Sequence, residues 1–419
     1  MKKRINNFNL LILLSYLILI LGFFFRENIT TGGDEYIDWV YHKKLITGFA
    51  DDFQNYFSVY NNRHSPVFYI IISYFRKLGL DFESIRFLHF HINLITLIFA
   101  YKCIQIKYPT IKKSNILFLS LVIILLSPNL RTAGYWASPY PLSMCFLLIS
   151  FYYCLRFIYE KTTEKEKIKF IFLNIFFLAL SSYISPNLCL FGIYFAYIFL
   201  KNNTKKNIIL IIFLTNFILA LPAIYYTFIY NKFFMFNLTV SEDVQNIVRF
   251  NFINKIFIIS SIIFFHLIPF VFLLNKNKII LNIKSQIKLI IPLILFFLLT
   301  INNFNFRPEF GGGGFFYHLS NYLTKDVYLF FGICFISLIL ILLIINKKIN
   351  NLILIIIFII MNPQLSIYHR YYDPLVLLTF LLFFNHEIFN KKLVENNIII
   401  VLFFYTLLFN LSYILKNYI

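Results

Sequence analysis

Residues 208–229 read IILIIFLTNFILALPAIYYTFI, a stretch without one charged side chain. Wound as an α-helix at ~1.5 Å per residue, it reaches past the ~30 Å hydrocarbon core of a bilayer. Runs of the same kind recur at 9–25, 84–105, 114–130, 139–158, 168–184, 185–200, 256–274, 286–301, 327–346, 352–362, 374–388 and 398–415. A soluble core has no use for so many. The chain therefore reads as an all-α, polytopic membrane protein with about 13 transmembrane helices. Composition agrees, with 60% of residues hydrophobic and 13% charged. No soluble domain is visible, and 1–419 is expected to form a single transmembrane domain. The apolar stretch Pro66–Gly79 reaches only ~20 Å as a helix, too short to span, and is read as a re-entrant or interfacial helix.

A formal charge of +20 would fit nucleic acid, but the basic residues sit between apolar spans, as the cytoplasmic loops of a membrane protein require. With the N-terminus inside, the segments 102–113, 156–169, 201–207, 275–288, 347–351 and 389–397 face the cytoplasm and hold, with the N-terminus, most of the 38 Lys/Arg. The first run follows Met-Lys-Lys-Arg and lacks a small-residue cleavage site, so it is read as a retained helix. The outer segments are then 26–83, 128–138, a turn near 181–186, 230–255, 302–326 and 363–373, and the C-terminus is outside. The cysteines Cys103, Cys145, Cys154, Cys189 and Cys334 show no paired spacing, which argues against a disulfide framework or a zinc site.

The long first outer loop, 26–83, is acid-rich: Glu27, Asp34, Glu35, Asp38, Asp51, Asp52, Asp81 and Glu83. Gly32-Gly33-Asp34-Glu35-Tyr36 puts two adjacent carboxylates at the membrane boundary. Asp34 suits a general base or a ligand for a divalent metal ion, with Glu35 in support. The plainer alternative is an N-cap opening an amphipathic helix over 35–47. Arg63 and His64 precede Pro66, where they either bind a phosphate at a helix N-terminus or stand solvated before a proline helix start. Arg307, Glu309 and the four glycines Gly311–Gly314 form a mobile lid, a ligand cradle or a plain flexible loop. No nucleotide-binding fingerprint occurs, so no nucleotide cofactor is expected. Arg131 is either a phosphate contact or a snorkelling interfacial cation. His89 and His91 point to different helix faces, and His266 stands alone near Pro269; each reads as a packing residue.

Several of these motifs together resemble the GT-C membrane glycosyltransferases, particularly the protein O-mannosyltransferases and the aminoarabinose transferases of lipid A. They are Asp34-Glu35 after the first helix, His64-Ser65-Pro66 with Tyr69, Leu78-Gly79, Ser84-Ile85-Arg86-Phe87-Leu88, Leu126–Leu142, and Tyr368-His369-Arg370-Tyr371-Tyr372-Asp373-Pro374. The likeness covers the N-terminal third and this last motif. Ser65 stands where the family has a second proline, and no acidic residue occurs between Pro128 and Pro141, where relatives supply one. The resemblance implies a GT-C-like fold with interfacial helices in 26–83. It also implies transfer of a sugar from a polyprenyl-phosphate donor to a glycan, lipid or protein acceptor, at the periplasmic face of a bacterial inner membrane. Asp34 and Glu35 would be catalytic, Arg63, His64 and Arg370 would hold the donor phosphate, and Arg307, Glu309 and Tyr371 would form a substrate loop. Two rivals remain: a flippase or exporter of lipid-linked glycans, and a non-catalytic assembly protein of the same fold.

Overall fold

The computed structural model describes residues 7–28, 35–60, 65–202, 206–230, 251–271, 273–308, 311–362, 364–385 and 396–418. Among them every named element is helical, and Gly312 forms an isolated bridge with Ile367. The helices are α1 (Asn7–Phe24), α2 (Glu35–Asp51), α3 (Phe53–Val59), α4 (Val67–Lys77), α5 (Phe82–Phe90), α6 (Ile92–Lys107), α7 (Lys113–Leu125), α8 (Pro128–Tyr135), α9 (Pro139–Tyr159), α10 (Glu164–Ile184), α11 (Phe191–Asn202) and α12 (Lys206–Tyr230). They continue as α13 (Phe252–Val271), α14 (Lys276–Thr300), α15 (Gly314–Thr324), α16 (Tyr328–Ile345), α17 (Ile349–Ile360), α18 (Leu375–Phe383) and α19 (Asn396–Tyr418).

Among the described residues, 7 helices are long and apolar enough to cross a membrane, or 8 if α7 and α8 count as one broken span. The long ones are Phe82–Lys107, Pro139–Tyr159, Glu164–Ile184, Ile208–Phe228, Phe252–Val271, Asn277–Asn303 and Tyr328–Ile345. Shorter apolar helices cover Asn9–Phe24, Ile349–Ile360 and Asn397–Ser412. The chain is thus helical and multi-pass by length and composition. The expected run 185–200 opens with a 3-10 turn, Pro186–Leu190, before α11, and the run 374–388 is helical over Leu375–Phe383. In the first outer loop the helix expected over 35–47 is α2, and the short helix expected over 66–79 is α4.

Chain packing divides the molecule into two compact units, residues 1–239 with 406–419, and residues 240–405. In the first unit α9 and α10 are zipped by buried polar pairs. Asn174 Nδ2 donates to the Ser150 carbonyl at 2.9 Å, Ser150 Oγ donates to the Asn174 carbonyl at 3.0 Å, and Ser181 Oγ donates to the Ser143 carbonyl at 2.8 Å. A Thr163–Glu166 capping box starts α10. α2 lays its buried face, Glu35, Trp39, His42, Ile46 and Phe49, against α4, where the rings of His42 and Tyr69 lie 5.3 Å apart. Ser65 Oγ donates to the Tyr183 carbonyl, tying the start of α4 to the end of α10.

Segment 128–138, expected as an outer connection, begins as a helix with every residue buried. Ser127 caps α8 by accepting from the Leu130 amide at 3.2 Å, and Pro128 fits its first turn. α8 bends 68° from α7 and runs back beside α5 and α6. Close packing there rests on two glycines: a Cβ on Gly22 would lie 2.3 Å from the Tyr135 hydroxyl, and one on Gly134 would lie 2.1 Å from Asn93 Nδ2.

In the second unit α13 is the centre, and non-helical backbone follows its side. Lys255 Nζ donates to the Asn362 carbonyl at 2.5 Å, a Cβ on Gly314 would meet Ile262 at 2.9 Å, and the ring of His266 lies 4.9 Å from that of His369. From position 255 to 266 the helix rises ~17 Å. Irregular backbone at such depth along an apolar helix is tolerated only when protein or a water-lined cavity surrounds it. The four glycines meet that demand rather than forming a free lid. The amide of Gly313 donates to the Ile367 carbonyl at 2.9 Å, and that of Ile367 to the Gly311 carbonyl at 3.2 Å. All four glycines have positive φ, and a Cβ on Gly312 would lie 2.2 Å from the Ile367 oxygen.

Adding one methyl at the two crowded positions therefore has a defined cost. Gly22→Ala and Gly134→Ala are each expected to destabilise the protein by about 1–3 kcal/mol through overpacking. Gly332→Ala, inside α16 with nothing within 4 Å of its Cβ, should be neutral or stabilising by up to ~1 kcal/mol. Thermal unfolding in detergent, followed by circular dichroism, checks the ordering of the three.

Candidate functional site

The first site region is built where α1 ends and α2 begins. Beyond the end of α1, Glu27 meets Arg131 of α8, a residue only 7% exposed. Arg131 Nε donates to Glu27 Oε1 at 2.9 Å, and a second guanidinium nitrogen reaches the same oxygen. Its Nη1 donates to the Leu125 carbonyl at 2.7 Å, and Nη2 to Asn410 Oδ1 of α19 at 3.4 Å. Asn410 in turn donates to the Leu126 carbonyl at 2.8 Å. The guanidinium thus holds together the end of α1, the α7–α8 bend and the last turns of α19. Arg131 is neither a snorkelling cation nor a solvent-facing phosphate contact; it is a buried partner of Glu27. The pairing leaves no local signature in the sequence, because the two residues are 104 positions apart.

A second guanidinium lies one layer away. Arg86 is 1% exposed, with its guanidinium carbon 4.0 Å above the Trp136 ring and 5.0 Å above that of Phe23. Its Nε donates to the Tyr135 carbonyl at 2.8 Å, and Nη1 to Glu83 at 2.7 Å. His89, one turn on, donates from Nδ1 to the Gly134 carbonyl at 3.0 Å. Both side chains donate to carbonyls at the C-terminal end of the short helix α8. His91, on another face, donates from Nδ1 to the Phe87 carbonyl at 2.7 Å, so both histidines are hydrogen-bonded packing residues. An arginine this close to the start of an apolar span was the signal that could have pointed to buried partners.

Trp136 joins this framework to the candidate carboxylates. Its Nε1 donates to the Glu27 carbonyl at 2.9 Å, and its ring meets Tyr36 edge-on at 5.1 Å. Tyr36 follows Glu35, the first residue of α2, which is 3% exposed and faces inward. Glu35 and the half-buried Asp38 lie one turn apart at the positive end of the helix dipole. Asp34, Arg63 and His64 lie outside the described residues, as does Glu309. Among the described residues no group of three or more His, Cys, Asp or Glu side chains could hold a metal ion. A divalent cation at this end of α2 would need Asp34 in addition to Glu35.

The second site region belongs to the other unit. Arg370 is half-buried, with its guanidinium carbon 5.1 Å from the Tyr368 ring and 5.6 Å from the Tyr371 ring. The two rings stand 5.7 Å apart at 81°, forming a bracket that orients the cation. Gly311 packs onto the Tyr368 hydroxyl, where a Cβ would lie 2.5 Å away, so the glycine strap sets the position of the bracket. Arg307 is exposed on the chain leading into that strap. His266 does not stand alone, because His369 lies against it.

The Glu27–Arg131 pair should behave as a buried ion pair. Arg131→Met alone leaves the Glu27 carboxylate facing an apolar partner and is expected to cost about 3–5 kcal/mol. Glu27→Leu combined with Arg131→Met should recover most of that loss, because the matched apolar pair strands neither charge. A double-mutant cycle on thermal stability in detergent measures the coupling.

Set against known proteins, the chain finds no match among family models, curated proteins or solved structures.

Proposed function

We propose that the chain is a membrane glycosyltransferase of GT-C type, using a polyprenyl-phosphate-linked sugar on the periplasmic side of a bacterial inner membrane. The observation that carries this reading is the position of the Asp34-Glu35 motif. Its second carboxylate, Glu35, is the first residue of α2, and the next residue, Tyr36, rests on Trp136, which is bonded to Glu27. These contacts support the reading because a general base needs a fixed orientation, and the first turn of α2 packs against a framework that contains the Glu27–Arg131 ion pair. The membrane topology of the reading, with about 13 spans, counts the broken α7–α8 span, α11 and α18 in addition to the long and the shorter apolar helices.

In this mechanism Asp34 accepts the proton of an acceptor hydroxyl or amine as that group attacks the anomeric carbon. The bond from the anomeric carbon to the phosphate oxygen breaks, and polyprenyl phosphate leaves with the bonding pair. Arg63, His64 and Arg370 neutralise the charge that develops on the leaving phosphate. Arg370, oriented by its two tyrosines, suits bidentate contact with phosphate oxygens better than a lysine would. Glu35 supports Asp34, Arg307, Glu309 and Tyr371 border the substrate, and a divalent metal ion bound through Asp34 would supply added charge neutralisation.

A second reading, a flippase or exporter of lipid-linked glycans, draws support from the irregular backbone beside α13 and from the buried Lys255 and His266 on that apolar helix. One experiment separates the two. Membranes bearing the wild-type chain should transfer a radiolabelled sugar from a polyprenyl-phosphate donor to endogenous acceptor. Asp34→Asn should reduce that transfer by at least ~100-fold while inserting normally. Undiminished transfer in the variant refutes Asp34 as base. Movement of a fluorescent lipid-linked sugar across proteoliposomes, without transfer, supports the exporter instead.

A further inference from the structure

His266 and His369 form an imidazole pair that the proposed reaction does not use. Their rings lie 4.9 Å apart at 54°, and each is 3% exposed. Phe265 stands edge-on to both, at 5.5 Å from His266 and 5.0 Å from His369, and itself packs on Phe315, Phe316 and Tyr405. Among the described residues, His266 Nε2 has no hydrogen-bond partner. His369 begins a one-turn 3-10 helix, His369–Tyr371, that ends in the Arg370 bracket. Two residues before it, Ile367 is paired through its backbone with Gly311 and Gly313. The segment Ile367–Tyr371 is therefore held at one end by two backbone hydrogen bonds and at the other by two imidazoles in an aromatic box.

We propose that the His266–His369 pair is a proton-operated latch, which keeps the segment Ile367–Tyr371 docked against α13 while the His369 ring is neutral and releases it when that ring is protonated. An imidazolium in this box would face a second imidazole and phenyl rings. On α13 the other ionisable group is Lys255; on α15 they are Tyr317, His318 and Tyr322; on α19 the one beside Phe265 is Tyr405, whose hydroxyl donates to the Phe265 carbonyl. None of these is a carboxylate. The segment carries Tyr368, Arg370 and Tyr371, and Tyr372 and the buried Asp373 follow it. Burial pushes His369 down from 6.5 to about 3, so the docked segment keeps the ring neutral.

The sign follows by linkage. The released segment binds protons at the ordinary histidine value while the docked one does not, so docking is favoured above pH ~6.5 and weakens as pH falls below it. Because Tyr368, Arg370 and Tyr371 all ride on the segment, acidification would free the bracket from its place beside the glycine strap. The latch is a property of the second unit alone and holds whether or not the chain transfers sugars.

Hydrogen–deuterium exchange on the full chain in detergent, read as protection factors for the amides of Gly313, Ile367, Tyr371 and Tyr372, tests it. Between about pH 7.5 and 5.5, protection should fall roughly 10-fold in the wild type. It should stay level in His369→Gln and fall less steeply in His266→Gln. Protection that is unchanged with pH in the wild type overturns the latch, as does an unaltered pH response in both variants. A drop at pH 7.5 on adding a copper or zinc chelator also overturns it, since the two rings would then be metal ligands.

Discussion

A charge carried into an apolar medium must find its partner within the protein, and that demand organises the first unit. Arg131 cannot reach water, so three separate pieces of chain converge on its guanidinium: Glu27 beyond α1, the Leu125 carbonyl at the end of α7, and Asn410 of α19. Breaking such a pair leaves an uncompensated charge, which is why a buried arginine constrains its surroundings more than any single apolar contact does. Trp136 and Arg86 extend the same logic. The indole lies between a cation above its face and a backbone carbonyl at its nitrogen, and the first turn of α2 packs against its rim.

The second unit answers a related demand with backbone. Irregular chain beside an apolar helix has amides and carbonyls that lipid cannot satisfy. The Gly311–Gly313 stretch resolves this by pairing with Ile367, and only residues without a Cβ can approach that closely. Further along, the carbonyl of Asn362 is met by Lys255 Nζ, and that of Gly312 by His318 Nε2 at 2.7 Å. What looks like a flexible tract is thus a strap whose position governs the Tyr368–Arg370–Tyr371 bracket.

These two arrangements bear on function in different ways. The ion-paired framework gives the head of α2 a defined place at the end of the first apolar helix, suited to a base that must hold its orientation. The strap and the imidazole pair hold Arg370 through contacts that proton uptake would weaken, so the guanidinium is ordered conditionally.

The sequence by itself determined the helical, membrane-spanning character of the chain and the extents of most helices. Runs such as 208–229, 139–158 and 327–346 carry that information locally, and hydrophobicity over a span needs no distant partner. It also made the acid-rich segment after α1 and the Tyr368–Asp373 motif stand out, because charged and aromatic clusters are conspicuous in a chain so poor in charge. Only tertiary structure decided what Arg131, Arg86, His266 and the four glycines do. Arg131 was legible as a cation near a boundary, but its carboxylate lies 104 residues upstream, and no local periodicity encodes that pairing. His266 looked solitary because His369 comes from a separate loop, and the glycines looked mobile because the backbone they approach, at Ile367, lies far along the chain. Helix formation is a short-range property of the chain, whereas the satisfaction of buried charges and of irregular backbone depends on which distant segments the fold brings together.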